Sequence, residues 1–234
     1  MKNRRAKTGI ILTTAVGALG FTVIPPAYAS PTPAPSPTST PTATSTPTAT
    51  TTATPKGLFT PLKYRLSLKG QRQQTNYFCV PASSSMSLST FGVSVSQSTL
   101  AKKMKTTASG GTKGSNALPV INAYVKSRGY KYTSPTDADG NALMLMNRVS
   151  GNIGDLHRAP VLAVWMEQLP WNKGKIKTKG RIGHAIIAYG YDKTAGTITV
   201  YDPWKATGGV HTISASTLAK VLQPAGNMYY ISKL

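Results

Sequence analysis

The chain has 234 residues, with 27 lysines and arginines against six acids and a formal net charge of +21. Its single cysteine excludes an internal disulfide, so stability must come from an ordinary apolar core, for which this length suffices. The positive charge attracts anionic partners, but no RNA-binding aromatic signature or zinc-finger spacing accompanies it, which disfavours nucleic acid.

Residues 1–29 read as a secretory signal peptide. Lys2, Arg4, Arg5 and Lys7 form a positive start, Ile10 to Ile24 is apolar, and Ala27-Tyr28-Ala29 gives the small-x-small pattern of a cleavage site before Ser30. The apolar run is too short and too interrupted by threonine and glycine for a membrane span, although an uncleaved N-terminal anchor is the alternative. No second long apolar run follows, so the expected mature protein is secreted, extracellular or wall-associated, with no stable membrane span. For an exported chain the charge favours anionic cell-wall polymers or membrane surfaces; a solvated basic surface with no single partner is the bland alternative. Residues 30–57 are rich in proline, threonine and serine and cannot bury enough apolar surface to fold. They read as a disordered linker, of the composition that carries O-glycans.

The domain is expected over 58–234. Tyr64 to Leu68 alternates as a short strand does. Gln71 to Phe78 is polar and loop-like, and Val80-Pro81-Ala82 opens a helix to about Thr90, with proline in the first turn and Gly92 ending it. Ser96 caps a short helix through Met104. A glycine-rich loop, 109–114, precedes a helix carrying Leu118, Ile121 and Val125 and closed by Gly129. A further helix covers Ala142 to Val149. The pattern then changes. Ala159 to Trp165, His184 to Tyr191 and Thr197 to Tyr201 read as strands, with a basic loop from Trp171 to Gly180 and a hairpin turn at Asp192 to Gly196. A helix from Ser214 to Leu222 and a strand at Tyr229-Tyr230-Ile231 finish the chain. Helices first and an antiparallel sheet second make an α+β arrangement.

Cys79 falls at the expected helix start, where unpaired N–H groups and the helix dipole favour a thiolate. It follows the polar string Gln73-Gln74-Thr75-Asn76 rather than an apolar run, which argues against an inert core cysteine. Of three histidines, His157 falls in a loop and His211 precedes the last helix. His184 opens a core strand, from where its ring can reach a cleft as a base; a satisfied core histidine is the competing reading. Such a base needs an acceptor on its other nitrogen. A five-residue hairpin loop pairs Tyr191 with Thr197 and sets Asp202 opposite Ile186, on the face of His184; a four-residue loop puts them on opposite faces. Asp192, Asp137, Asp139 and Asp155 read as turn or cap residues and Glu167 as exposed. Gln73, or Gln74 in competition, offers an amide to a developing oxyanion beside the Cys79 N–H.

The string Gln73 to Ala82, with Gly183-His184-Ala185 and Tyr201-Asp202-Pro203-Trp204 in that order, resembles the bacteriocin-processing cysteine peptidases, family thirty-nine of the papain superfamily, and their exported relatives. The resemblance spans about 62–231. It implies a papain-like fold, with a helical lobe carrying the thiol and a sheet lobe carrying the imidazole. It also implies peptide-bond hydrolysis through an acyl-enzyme, without a cofactor or metal. It gives Gln73 the oxyanion role and makes Trp204 the tryptophan that shields the base–acceptor hydrogen bond. Val80 departs from the glycine usual there, which narrows the cleft or alters substrate choice. The processing members cut after paired glycines and are fused to a transporter; without one here, a general or wall-associated peptide or protein is the expected substrate. Two rivals are a Cys-His wall amidase or endopeptidase, whose usual Asp-Cys-Ser-Gly-like segment is missing, and a non-catalytic basic wall-binding domain.

Overall fold

The computed structural model of the chain describes residues 59–224, 226 and 228–234. The expected signal peptide (1–29) and linker (30–57) lie outside these residues. Along the chain run β1 (Lys63–Arg65), α1 (Cys79–Ser89), α2 (Gln97–Lys103), α3 (Gly114–Val125), β2 (Tyr130–Thr133), α4 (Ala142–Ser150), β3 (Val161–Trp165), β4 (Gly183–Asp192), β5 (Thr197–Asp202), β6 (Gly209–Ser214), α5 (Ala215–Lys220) and β7 (Met228–Lys233). Strands lie in the order β2-β7-β3-β4-β5-β6, and β1 also pairs with β4. Every pairing is antiparallel. The α+β expectation holds, with a refinement: β1 and β2 come from the helix-rich half and join the sheet.

β4 is buried from His184 to Tyr191 because helices cover the sheet on both faces. Side chains alternate along a strand, so Ile186 and Ala188 join Leu145 and Val149 of α4 and Leu218 of α5. Ala185 joins Leu88 of α1 and Ile121 and Val125 of α3. α1 is buried almost all round, yet it is built on serine. Small side chains let it sit close to β4, and three of their hydroxyls find acceptors: Ser83 on the Ala185 carbonyl at 3.0 Å, Ser85 on Val95 at 2.7 Å and Ser87 on Ala159 at 2.5 Å. Gly92 and Gly129 take positive φ after their helices and the Ser96 hydroxyl caps α2, as the sequence predicts, while Ser214, expected only as the start of the last helix, caps α5 from outside it.

Two strands escaped the sequence reading. β2 is short and starts directly after Gly129, and β6 hides ahead of Ser214, so His211 lies on a strand. β1 is shifted to Lys63–Arg65 from the expected 64–68. In the β4–β5 hairpin Asp192 pairs with Thr197, which leaves a four-residue loop and not the expected five. A β-bulge between Ala188 and Gly190 then moves the register by one, so that Ile187 faces Tyr201. One step further along, that register places Ile186 opposite Asp202. The bulge thus restores the face that the shorter loop alone would have lost.

Two asparagines close the far side of the sheet. Asn122 of α3 exchanges two hydrogen bonds with the Tyr132 backbone, at 2.6 and 3.0 Å. Asn152 does the same for Ile231, both at 2.9 Å. Tyr132 and Ile231 are partners in the β2–β7 ladder, so each asparagine satisfies the strand groups that point away from the ladder. Asn152 and Ile231 are fully buried. Asn152→Ala leaves a buried N–H and a buried C=O unpaired and should lower the unfolding free energy by about 3 kcal/mol, read from urea midpoints. A loss below about 1 kcal/mol would mean that these groups find other partners.

Candidate active site

Cys79 is the first residue of α1 and is half-buried. The first N–H groups of a helix lack intrahelical acceptors, and Pro81 has none to offer. Burial opposes ionisation of the thiol, but the His184 hydrogen bond and charge, with the N–H groups of Ala185 and Val80, outweigh it and hold the thiol below its ordinary range. Tyr229, across the cleft, feels the same sulfur: burial first, then the charge on Cys79, push its phenol up to about 12.

His184, near the start of β4, is 3% exposed. Its Nε2 lies 2.8 Å from Oδ1 of Asp202, at the end of β5, which leaves Nδ1 for the thiol. Burial penalises the imidazolium, yet hydrogen bonds to Asp202 and Cys79 and the charges of both raise the ring above the ordinary histidine range. Asp202 is fully buried. Burial alone would favour its acid form. His184, the Trp171 indole and the Trp204 N–H together hold it below the usual carboxylate range. Trp204 donates its backbone N–H to Oδ1 at 2.7 Å, and Trp171 donates Nε1–H to Oδ2 at 2.7 Å. The cluster can hold a thiolate beside an imidazolium and keep that imidazolium oriented by a buried carboxylate.

Cys79 and His184 open onto one cleft of about 550 Å³. Val80 and Tyr77 line it on the α1 side, Gly110 and Gly111 of the glycine-rich loop on another, and Trp204 and Tyr229 elsewhere. Among the described residues, no group of three or more His, Cys, Asp or Glu is arranged to hold a metal ion.

Known proteins bear on this geometry. A family model described as Peptidase_C39 like family matches residues 65–230. The chain belongs to this family. It is therefore a cysteine peptidase, which hydrolyses peptide bonds. No protein with a curated description matches the chain significantly. Among solved structures it is similar to the peptidase domain of Streptococcus ComA, a bi-functional ABC transporter involved in a quorum-sensing pathway. Identity there is 20%, over 73% of this chain and 99% of that one, with a TM-score of 0.49. A putative C39-like peptidase from Bacillus anthracis is 13% identical over 74% of this chain and 97% of that one, with a TM-score of 0.49. A double glycine motif protease from an AMS/PCAT transporter, in complex with the leader peptide, is 13% identical over 73% and 95%, with a TM-score of 0.45.

In this C39-like peptidase His157 and the acids Asp137, Asp155, Asp192 and Glu167 make their contacts away from the cluster. His157 stacks on Tyr64, Asp137 pairs with Arg148, and Asp192 pairs with Lys63 and caps its own turn. Asp155 accepts from the Thr60 hydroxyl. Glu167, expected to be exposed, is half-buried and accepts the Ile182 N–H at 3.1 Å. Gln73 is buried, and its N–H donates to the carbonyl of Pro203, next to Asp202. Its Nε2 donates to the Thr75 carbonyl at 2.7 Å, which uses one of two amide hydrogens. Gln74 is exposed and lines a separate groove with Val95 and Gln97.

Trp171 is the contact that sequence reasoning missed. It sits 31 residues before Asp202, in a loop noticed only for its charge. Its ring stacks on His211 of β6 at 3.9 Å between centroids and 1° between planes. It thereby fixes one carboxylate oxygen while Trp204 and His184 share the other. Trp171→Phe keeps the stack and removes the donor. It should lower kcat about tenfold with KM unchanged, the scale of one hydrogen bond to a charged group. Unchanged kcat would show that Asp202 is held without it.

Proposed function

We propose that this protein is an exported bacterial cysteine peptidase that works through Cys79, His184 and Asp202, with Gln73 and the Cys79 N–H as oxyanion donors. The observation that supports this most is that Cys79 and His184 open onto one cleft, with Nε2 of His184 held by Asp202 at 2.8 Å. In this reading the Cys79 thiolate attacks the peptide carbonyl carbon. The oxyanion takes hydrogen bonds from the Cys79 N–H and the second amide hydrogen of Gln73. His184 gives its proton to the departing amine, leaving an acyl group on sulfur. It then removes a proton from water, which attacks the thioester, and the thiolate leaves beside a restored imidazolium. Asp202 stays ionised and keeps Nε2 as the donor nitrogen. No step calls for a cofactor.

Val80 lies in the cleft wall beside the nucleophile. Its branched side chain narrows the approach and favours a small residue near the cleaved bond. Cleavage after Ala29 and export with the 30–57 segment as a linker complete the proposal, with a peptide of the wall or the medium as substrate. Digestion of a peptide pool and of peptidoglycan, side by side, tests the activity. Peptide cleavage that disappears in Cys79→Ala supports it, and release of wall fragments alone would replace it with the wall-hydrolase reading. N-terminal sequencing of the protein from culture medium should begin at Ser30, and an intact Met1 on cell-bound protein would refute export with cleavage.

A further inference from the structure

Between Trp171 and Gly183 the loop carries Lys173, Lys175, Lys177, Lys179 and Arg181, one cation at every second position. All five are exposed. Among the described residues none of them forms an ion pair. Glu167 is the one carboxylate in the segment from Met166 to Gly183, and it is engaged by the Ile182 N–H. The loop is tied to the site at both ends. At its start Trp171 donates to Asp202, and at its end the Ile182 carbonyl accepts from Met166 at 2.9 Å, two residues before His184. Ile176, Arg181 and Ile182 line the same cleft as Cys79. Among the described residues of that lining, Arg181 is the one side chain with a fixed charge apart from His184 and the thiol, and none carries a carboxylate. Arg181 is steadied from behind by the Trp165 ring, 5.1 Å away.

We propose that this loop is the docking arm for an acidic stretch of the peptide substrate, with Arg181 meeting the carboxylate nearest the cleaved bond. The inference rests on the peptidase reading and adds the substrate's charge to it. Five cations without counter-charges raise the local concentration of an acidic chain at the cleft mouth and repel a basic one. A peptide fits better than a polyanion without side chains, because Ile176 and Ile182 alternate with the cations and offer apolar contacts along the same wall.

The test compares two peptide pools with the same randomised centre, one flanked by glutamates and one by serines. The intact protein and its Lys173→Gln/Lys175→Gln/Lys177→Gln/Lys179→Gln variant are assayed at low and high salt. Wild type should cleave the acidic pool with kcat/KM about tenfold above the neutral one, through KM, within the range of electrostatic steering. The variant, and wild type at high salt, should lose that preference while the neutral pool is cut as before. Equal rates on both pools in wild type, or equal loss on both in the variant, overturns the proposal. Fluorescence anisotropy of the Cys79→Ala protein with each pool and with inorganic polyphosphate separates the two claims. Loop-dependent binding of the acidic pool without turnover in wild type keeps the docking arm and removes the peptidase reading. Loop-dependent binding of polyphosphate with no preference among peptides assigns the loop to polymers and overturns the proposal.

Discussion

Alanine in place of His184 should lower kcat/KM on a peptide substrate by about 10⁴-fold, the upper range for loss of a general acid–base. Three consequences of the substitution act together. The thiol loses the hydrogen bond and charge that outweigh its burial, so the thiolate fraction near neutral pH falls. On the proposed mechanism the leaving amine loses its proton donor. Asp202 keeps a full charge in a buried site with only Trp171 and Trp204 to satisfy it. The signs also fix the pH profile. Activity should rise as pH climbs through the lowered value of the thiol, and fall as pH climbs through the raised value of the imidazole. The working range is therefore broad. In His184→Ala the acid limb should move upward and the alkaline limb should vanish.

Cys79→Ser should be the more severe change, with kcat/KM falling by about 10⁵-fold or more. The hydroxyl occupies nearly the same volume at the tip of α1, so the fold and cleft persist. An unchanged melting temperature checks this. What is lost is an anion that the helix end, the Val80 and Ala185 N–H groups and His184 can stabilise together. Substrate binding survives the exchange, so KM, where residual turnover allows it to be read, should stay near the wild-type value. Retained activity in Cys79→Ser would place the chemistry on another residue.

Local signals read well from the sequence. The proline in the first turn of α1, the Ser96 cap, and the helix-ending Gly92 and Gly129 each act within one turn, so neighbouring residues decide them. Cys79, His184 and Asp202 could be ordered because strand and helix periods constrain which way they face. The register between the last two was harder. Two local features, a shorter loop and a bulge near Tyr189, compensate for each other, and the one mark of the bulge in residue types, Gly190 inside the strand, does not give its register shift. Trp171 was illegible for a different reason. Its role comes from a loop folding back over the end of β5, a contact of long sequence separation with no periodic pattern behind it. β2 and β6 are the strands at the two edges of the sheet. Their burial is half or less on most positions, so alternation gave little contrast. The serine-rich α1 shows the same limit, because its burial comes from close approach and hydrogen bonds and not from an apolar stripe.

The partnership of sulfur and imidazole is tested most directly by the rate of Cys79 alkylation with iodoacetamide as a function of pH. In wild type the rate should reach its plateau well below the ordinary thiol value of about 8.5, and His184→Ala should return the inflection to that value or above it. A wild-type inflection near 8.5 that does not respond to the loss of His184 would contradict the account.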